Sequence, residues 1–164
     1  MSASPLISVI TPAYNVGAWI AGAIDSVLGQ TEGQLEYVVV DDGSTDNTAD
    51  IVAERAARDP RLRLISTANG GSGQARNIAI EDTSAPFIAF LDGDDRWHRD
   101  FLRTALAKLR QAPPDVGVTF SHTRVLLENG RLVGLRWQPA GHFDLDRFLI
   151  DHNPPHNGSS LLLR

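Results

Sequence analysis

The chain has 164 residues, a formal net charge of -5 and an apolar fraction of 42%, the profile of a soluble globular protein that buries one ordinary core. The acidic balance without any basic run excludes a general nucleic-acid surface, because phosphate backbones are held by clustered Lys and Arg. Cysteine is absent, which excludes a disulfide framework and a thiolate metal site and fits a reducing compartment. Met1 to Pro5 is short and uncharged, unlike a secretory leader, and no run approaches the roughly 18 apolar residues of a membrane span. A cytoplasmic location, free or at the inner face of the membrane, is expected.

Through the first two thirds, β-branched or aromatic runs alternate with helical spacing, the pattern of βαβ units and a mostly parallel sheet. Leu6 to Thr11 predicts a first strand, stopped by Pro12, which has no N–H for a ladder. Trp19, Ile20, Ala23, Ile24, Val27 and Leu28 then form one apolar helical face. Tyr37 to Val40 predicts a buried strand delivering Asp41-Asp42-Gly43-Ser44-Thr45-Asp46. Ser44, Thr45 or Asp46 caps the next helix, which carries Ile51, Val52, the Arg55 stem and Ala56 and ends at Asp59-Pro60. Leu62 to Ile65 is a third strand; Asn69-Gly70-Gly71-Ser72-Gly73 predicts a flexible loop and Gln74 to Ile80 a short helix. Phe87 to Leu91 predicts the strand feeding Asp92-Gly93-Asp94-Asp95, and Phe101, Leu102, Ala105, Leu106 and Leu109 mark the helix after it. Beyond Pro113-Pro114 the pattern changes. Val116 to Phe120 predicts a strand, and Asn129-Gly130 a hairpin turn between Arg124–Leu127 and Arg131–Leu135. His142 to Ile150 predicts a short helix and Ser159 to Leu163 a closing strand.

Both acidic clusters follow apolar strands, and in parallel α/β sheets ligands sit outside the carboxyl ends of such strands. The clusters are expected to face one crevice. Carboxylates without partners there repel one another and resist desolvation, so a cation or a donor-rich ligand such as a nucleotide is expected to compensate them. Asp92 and Asp94, separated by a glycine that lets the backbone turn, offer hard oxygen donors suited to Mg²⁺ or Mn²⁺, which complete their shells with water and substrate phosphate. A solvated acidic turn explains a lone Asp-x-Asp equally well; the second cluster favours the ligand site.

Ile7-Ser8-Val9-Ile10-Thr11-Pro12-Ala13-Tyr14-Asn15, the Asp41 to Asp46 run, Gly73-Gln74-Ala75-Arg76-Asn77 and Leu91-Asp92-Gly93-Asp94-Asp95 resemble, in order and register, the family 2 glycosyltransferases of GT-A fold. The resemblance covers Ile7 to Asp95. It implies an α/β nucleotide-diphospho-sugar transferase fold, three layers α/β/α around a mostly parallel, Rossmann-like sheet. The implied activity is transfer of a sugar from a nucleotide-sugar donor, most often a UDP-sugar, to a hydroxyl of a saccharide, lipid-linked or other acceptor. Transfer would proceed with inversion and with Mn²⁺ or Mg²⁺, in the synthesis of cell-surface polysaccharide or glycoconjugate. Position by position, Pro12 and Tyr14 would border the nucleoside, Asp42 would accept a hydrogen bond from the base, and Arg76 would lie near base or phosphates. Asp92 and Asp94 would hold ribose and metal, Asp94 as direct ligand and Asp92 directly or through phosphate or water. Residues 1–164 would form a single domain, with 1–112 the donor half and 113–164 the start of an acceptor-side half, incomplete at residue 164.

In relatives the general base is an Asp, usually in a Glu-Asp pair, after a strand that Ser159 to Leu163 resembles. No such pair follows residue 95 here; Glu81-Asp82 precedes the metal motif and reads as a solvated turn. The base is expected beyond Arg164, with Asp144, Asp146 or Asp151 as substitutes, and a nucleotide-sugar-binding fragment without transfer is the alternative function. Duller roles stand beside the others. Tyr14 also suits closing the first strand against its helix, Arg76 a surface salt bridge, and Trp97 either a sugar platform or packing. Asp95 either binds metal through water or caps a helix starting near His98. His98, His122, His142, His152 and His156 lack zinc-ligand spacing, although the polar loop bearing His152 and His156 suggests proximity to a ligand. Receiver domains and haloacid-dehalogenase phosphatases share acidic strand ends but need a lysine, and the only one, Lys108, falls in a helix span. A Walker-type loop fails on the same ground.

Overall fold

The computed structural model describes residues 4–127, 130–136 and 158–164. Strands β1 (Ile7–Ala13), β2 (Leu35–Asp41), β3 (Leu62–Ser66) and β4 (Phe87–Phe90) alternate with helices α1 (Ile20–Leu28), α2 (Thr48–Ala56) and α3 (Ser72–Glu81), and α4 (Phe101–Gln111) follows β4. Then come β5 (Val118–Phe120), β6 (Thr123–Leu126), β7 (Leu132–Arg136), a 3-10 turn at Gly158–Ser160 and β8 (Leu161–Leu163). The main sheet has the order β3-β2-β1-β4-β8-β5. Its first four strands are parallel, and β8 runs antiparallel to both of its neighbours.

Alternation along the strands explains why their sequences are unbroken apolar runs: both faces are covered. Ile7, Val9 and Ala13 with Leu35, Tyr37 and Val39 pack under Ile20, Ile24 and Val27 of α1, Val52 of α2 and Leu102, Leu106 and Leu109 of α4. On the other face Ile10, Val38 and Val40 meet Ala75 and Ala79 of α3. Each fully buried Leu or Ile contributes about 1.5–3 kcal/mol. The Tyr37 phenol is wholly buried; its hydroxyl shares a 2.8 Å hydrogen bond with Thr11, and burial pushes its pKa well above the ordinary value. Because the strand order turns back at β1, the right-handed crossover carrying α3 lies on the face opposite α1 and α2. The crevice of such a sheet opens between β1 and β4, at their carboxyl ends.

Several elements differ from expectation for identifiable reasons. Pro12 does not stop β1, which pairs with β2 through Ala13. Successive residues of a strand direct their polar groups to opposite sides; the Ile10 carbonyl accepts from Leu91 at 3.0 Å, so the Pro12 nitrogen faces β4, where pairing stops at Ile10–Phe90. No ladder bond is lost. Trp19 does not join the buried face of α1 but stands 42% exposed just before its first residue. Helix α3 begins at Ser72, two residues early, because Gly71 (φ 90) already makes the turn. Helix α4 begins at Phe101 rather than near His98, with Asp100 at its N-cap.

Strands β6 and β7 form the expected hairpin as a separate antiparallel pair. The Leu127 N–H bonds to the Arg131 carbonyl at 3.0 Å and Gly130 has φ 78, so the connection is longer than an Asn-Gly dipeptide alone. Asn129, the helix expected over His142 to Ile150, and Asp144, Asp146, Asp151, His152 and His156 lie outside the described residues.

Candidate active site

The carboxyl ends of β1, β2 and β4 share one edge of the sheet, as parallel pairing of β1 with both neighbours requires. That edge carries Pro12 and Tyr14, Asp41 and Asp42, and Asp92 to Asp95. Pro12 is half-buried in the last turn of the pleat, while Tyr14 is 50% exposed and therefore does not close β1 against α1.

Asp42 is buried at 2% exposure. One of its carboxylate oxygens accepts the Gly70 N–H and the other the Gly71 N–H, each at 2.8 Å, while its own N–H donates to the Ala13 carbonyl at 2.8 Å. This one residue ties β1, β2 and the loop before α3 together, so the glycine-rich loop is held rather than free. Gly43, at φ 75, lets that loop approach: a Cβ there would lie 2.9 Å from the Asn69 nitrogen.

Arg76, on the second turn of α3, forms a 2.6 Å ion pair with Asp92 and lies 6.0 Å from the Phe90 ring centroid. Two residues expected to serve the donor are thus brought together across α3 and β4. Both are partly exposed, a setting in which an ion pair adds little stability.

Asp94 is exposed and has no hydrogen bond or ion pair among the described residues. Gly93 is buried beside it, and its role differs from the expected turn: its φ is not positive, but a Cβ would stand 2.9 Å from Val16 Cγ2 and 3.4 Å from Ile20 Cδ1. The glycine lets the acidic loop lie against α1. Asp95 does not cap α4; it receives a hydrogen bond from Ser159. Burial pushes its carboxyl above the usual range; the Ser159 bond opposes this, and the neighbouring Asp94 and Asp92 charges add to it.

Ser159 and Asn15 are contributors that sequence reasoning passed over. The Ser159 hydroxyl accepts the Asp92 N–H at 2.9 Å, and its carbonyl accepts the Trp97 indole N–H at 2.5 Å. Trp97 is accordingly a packing residue, with its ring 4.5 Å from that of Phe101. Asn15, at φ 52, accepts the Thr45 N–H at 2.8 Å, and its own N–H donates to the Ser44 hydroxyl at 3.0 Å. Ser44 and Thr45 therefore bind the loop after β1 instead of capping α2. Asp46, one position before the actual N-cap Asn47, also binds that loop through the Gly17 N–H at 3.0 Å and accepts the N–H of Thr48, the first residue of α2, at 2.9 Å. The Thr48 hydroxyl, first of these bonds in weight, helps hold the Asp46 carboxyl below its ordinary pKa. A serine before a strand and an asparagine after one are too common to single out; only their partners mark them. Asp41 is buried, with one carboxylate oxygen lacking a partner among the described residues.

No three carboxylate or imidazole groups form a ready-made metal cage among the described residues. Mg²⁺ and Mn²⁺ usually take one or two carboxylates and complete the shell with water and phosphate. An exposed Asp94 without a partner, beside an Asp95 that burial and like charges disfavour as an anion, fits that demand: a cation there relieves repulsion already present. Among the described residues no helix is long and apolar enough to cross a membrane.

The profile described as Glycosyl transferase family 2 matches residues 8–163. The chain belongs to glycosyl transferase family 2. This family 2 chain is 42% identical over 103 residues to the Bacillus subtilis (strain 168) putative teichuronic acid biosynthesis glycosyltransferase TuaG, 62% of this chain and 41% of TuaG. It resembles the Pyrobaculum calidifontis mannosyltransferase PcManGT in complex with GDP-Man and Mn²⁺, with a TM-score of 0.64 and 33% identity over 71% of this chain and 35% of that one. It also resembles S. aureus TarS 1-349 in complex with UDP-GlcNAc, with a TM-score of 0.59 and 34% identity over 64% of this chain and 31% of that one. The family 2 chain thus spans less than half the length of each of these relatives. With these neighbours and its own sheet, the fold is of GT-A type, a mostly parallel six-stranded sheet flanked by helices.

Proposed function

We propose that this chain is the donor-binding part of a glycosyltransferase that takes its sugar from a UDP-sugar and delivers it, with inversion, to an acceptor hydroxyl in polysaccharide synthesis. The observation that carries the reading is the shared carboxyl edge of β1, β2 and β4, where Pro12, Tyr14, Asp42, Asp92 and Asp94 lie beside the Arg76–Asp92 pair. Supporting it are the family assignment, the GDP-Man and UDP-GlcNAc named with the two solved relatives, and the teichuronic acid synthesis named for TuaG. The family assignment favours a transferase over a stand-alone binding module.

In this reading the exposed Tyr14 ring and Pro12 border the base and ribose. Asp42 presents its remaining carboxylate lone pairs to the base while it holds Gly70 and Gly71. Arg76 neutralises phosphate oxygens, and Asp92, whose carboxylate it now pairs, steers the ribose. Asp94, with Asp92 directly or through phosphate, holds Mn²⁺ or Mg²⁺. Such an ion supplies charge stabilisation for the leaving diphosphate, stronger in the transition state than in the ground state.

Calorimetry with UDP in Mn²⁺, in Mg²⁺ and in chelator tests the reading. UDP should bind in the micromolar to millimolar range with metal and more weakly without it. Asp94→Asn should remove the metal-dependent gain, about 1.5–3 kcal/mol, the worth of an interaction with a charged group. Equal affinity in all conditions and in the variant would sink the metal-assisted reading.

A further inference from the structure

We propose that Ser159 is a positioning residue that fixes the acidic loop Asp92–Asp95 in the arrangement that receives a diphosphate and its cation. The proposal rests on the donor-site reading above and extends it to a residue about sixty positions further along the chain.

Three groups of the loop and its flank converge on this one serine. Its hydroxyl oxygen accepts the Asp92 N–H at 2.9 Å. A hydroxyl has one proton of its own, and this one goes to the Asp95 carboxylate. Its carbonyl accepts the Trp97 indole N–H at 2.5 Å, and Trp97 packs, with its ring tilted by 36°, against Phe101 at the start of α4. Ser159 is itself buried, at 6% exposure, and is followed directly by β8, which is clamped between β4 and β5. The serine is therefore anchored in the sheet and grips the loop at its first residue, its last acid and the tryptophan beyond. Between those points only Gly93, pressed against Val16, and the exposed Asp94 are left. A two-point grip around a residue that must stay open to solvent sets where that residue stands without covering it. Such support is what holds a ligand within the tolerance a charged site demands.

The test uses the whole chain and two independent readouts. In hydrogen exchange, Ser159→Ala should raise exchange of the amides over residues 92–97 about three- to tenfold, the worth of one lost hydrogen bond, and leave β4 as protected as before. Leu162→Ala, which loosens β8 without touching the loop, should instead raise exchange across β4, β5 and β8 alike. Ser159→Thr keeps the hydroxyl and should restore protection of 92–97. Unchanged exchange over 92–97 in Ser159→Ala, or a rise spread evenly over the sheet, would overturn the positioning role. Should Ser159→Ala fail to fold, Trp97→Phe removes one of the same contacts and carries the same expectation for 92–97. In calorimetry, Ser159→Ala should lower the Mn²⁺-dependent gain in UDP affinity about three- to tenfold and leave affinity in chelator unchanged. A gain fully retained while the loop exchanges freely would sever Ser159 from the site. Absence of UDP binding by the unsubstituted chain would instead overturn the donor-site reading, and the exchange result alone would then decide what Ser159 does.

Discussion

Single residues at the acidic edge each carry more than one duty, and substitutions can separate them. Asp42 spends both oxygens on Gly70 and Gly71. Asp42→Asn turns one acceptor into an NH₂ group facing a backbone N–H, so it should lower stability by about 1–3 kcal/mol, read as a shift in urea midpoint. Asp42→Ala should also weaken UDP binding by about 1–3 kcal/mol. An imide N–H on the base is what a carboxylate would select for; if CDP competes as well as UDP before the change, Asp42 acts on the loop alone. Gly93→Ala places a methyl 2.9 Å from Val16 Cγ2 and should cost about 1–3 kcal/mol by overpacking. Shortening Val16 to Ala in the same protein should recover a good part of that, and equal losses in single and double variants would point to the backbone instead. Asp42, Asp92 and Asp94 were legible because acidic runs at the ends of apolar strands are conspicuous, whereas Arg76 joined them only through the resemblance to family 2 glycosyltransferases. It did not disclose that Gly93 serves space rather than a turn, since that depends on which helix lies against the loop.

Elements were legible where burial alone decides them. Tyr37 to Val40 and Phe87 to Leu91 read as buried strands because both faces of the sheet are covered, and α4 announced itself by the spacing of Phe101, Leu102, Ala105, Leu106 and Leu109. Legibility failed where a residue's polar partner comes from another element. Ser44 and Thr45 looked like caps for α2, yet they serve Asn15 some thirty residues earlier, and Pro12 sits within β1 because its nitrogen faces β4 beyond the point where that pairing stops. The loops after β1 and β2 are joined through Asp46, whose carboxyl is held below its ordinary pKa first by Thr48 and also by Gly17. Its folded-state pKa is lowered, so its contribution is fully present above the unfolded carboxylate range and is lost as pH falls through the folded value. Thermal melts of the unsubstituted chain and of Asp46→Asn should differ by a constant amount above about pH 5 and converge as the pH drops below about 4. A gap that does not narrow on acidification would mean the two loops are joined by something other than the charge.

At the scale of the whole molecule, β1 to β4 form the parallel part of the sheet with its crevice, and the described residues after α4 contribute a separate hairpin, the inserted strand β8 and the edge strand β5. Parallel pairing among β1 to β4 was foreseeable from the alternation of strands and helices; their order and the place of β8 were not, because an apolar run says nothing about which neighbours it takes. No Glu-Asp pair follows residue 95, so the 164-residue chain should bind UDP yet transfer sugar slowly, general-base assistance being worth about 10²–10⁴-fold. A product assay across several UDP-sugars checks this. Rapid multiple turnover abolished by replacing Asp144, Asp146 or Asp151 would mean that the base lies within this sequence.

The insertion of β8 between β4 and β5 also dictates an order of events as the polypeptide leaves the ribosome. Until Leu161 to Leu163 emerge, β4 presents an unpaired edge and β5 has no strand to join. Roughly seventy residues separate the end of β4 from β8, several seconds of synthesis at about 5–20 residues per second. During that interval the strand that feeds the acidic loop is open to a neighbouring nascent chain, the usual route from an exposed edge to aggregation. Expression of a form ending before Gly158 should therefore yield insoluble protein, its crevice built on an edge that nothing has yet sealed.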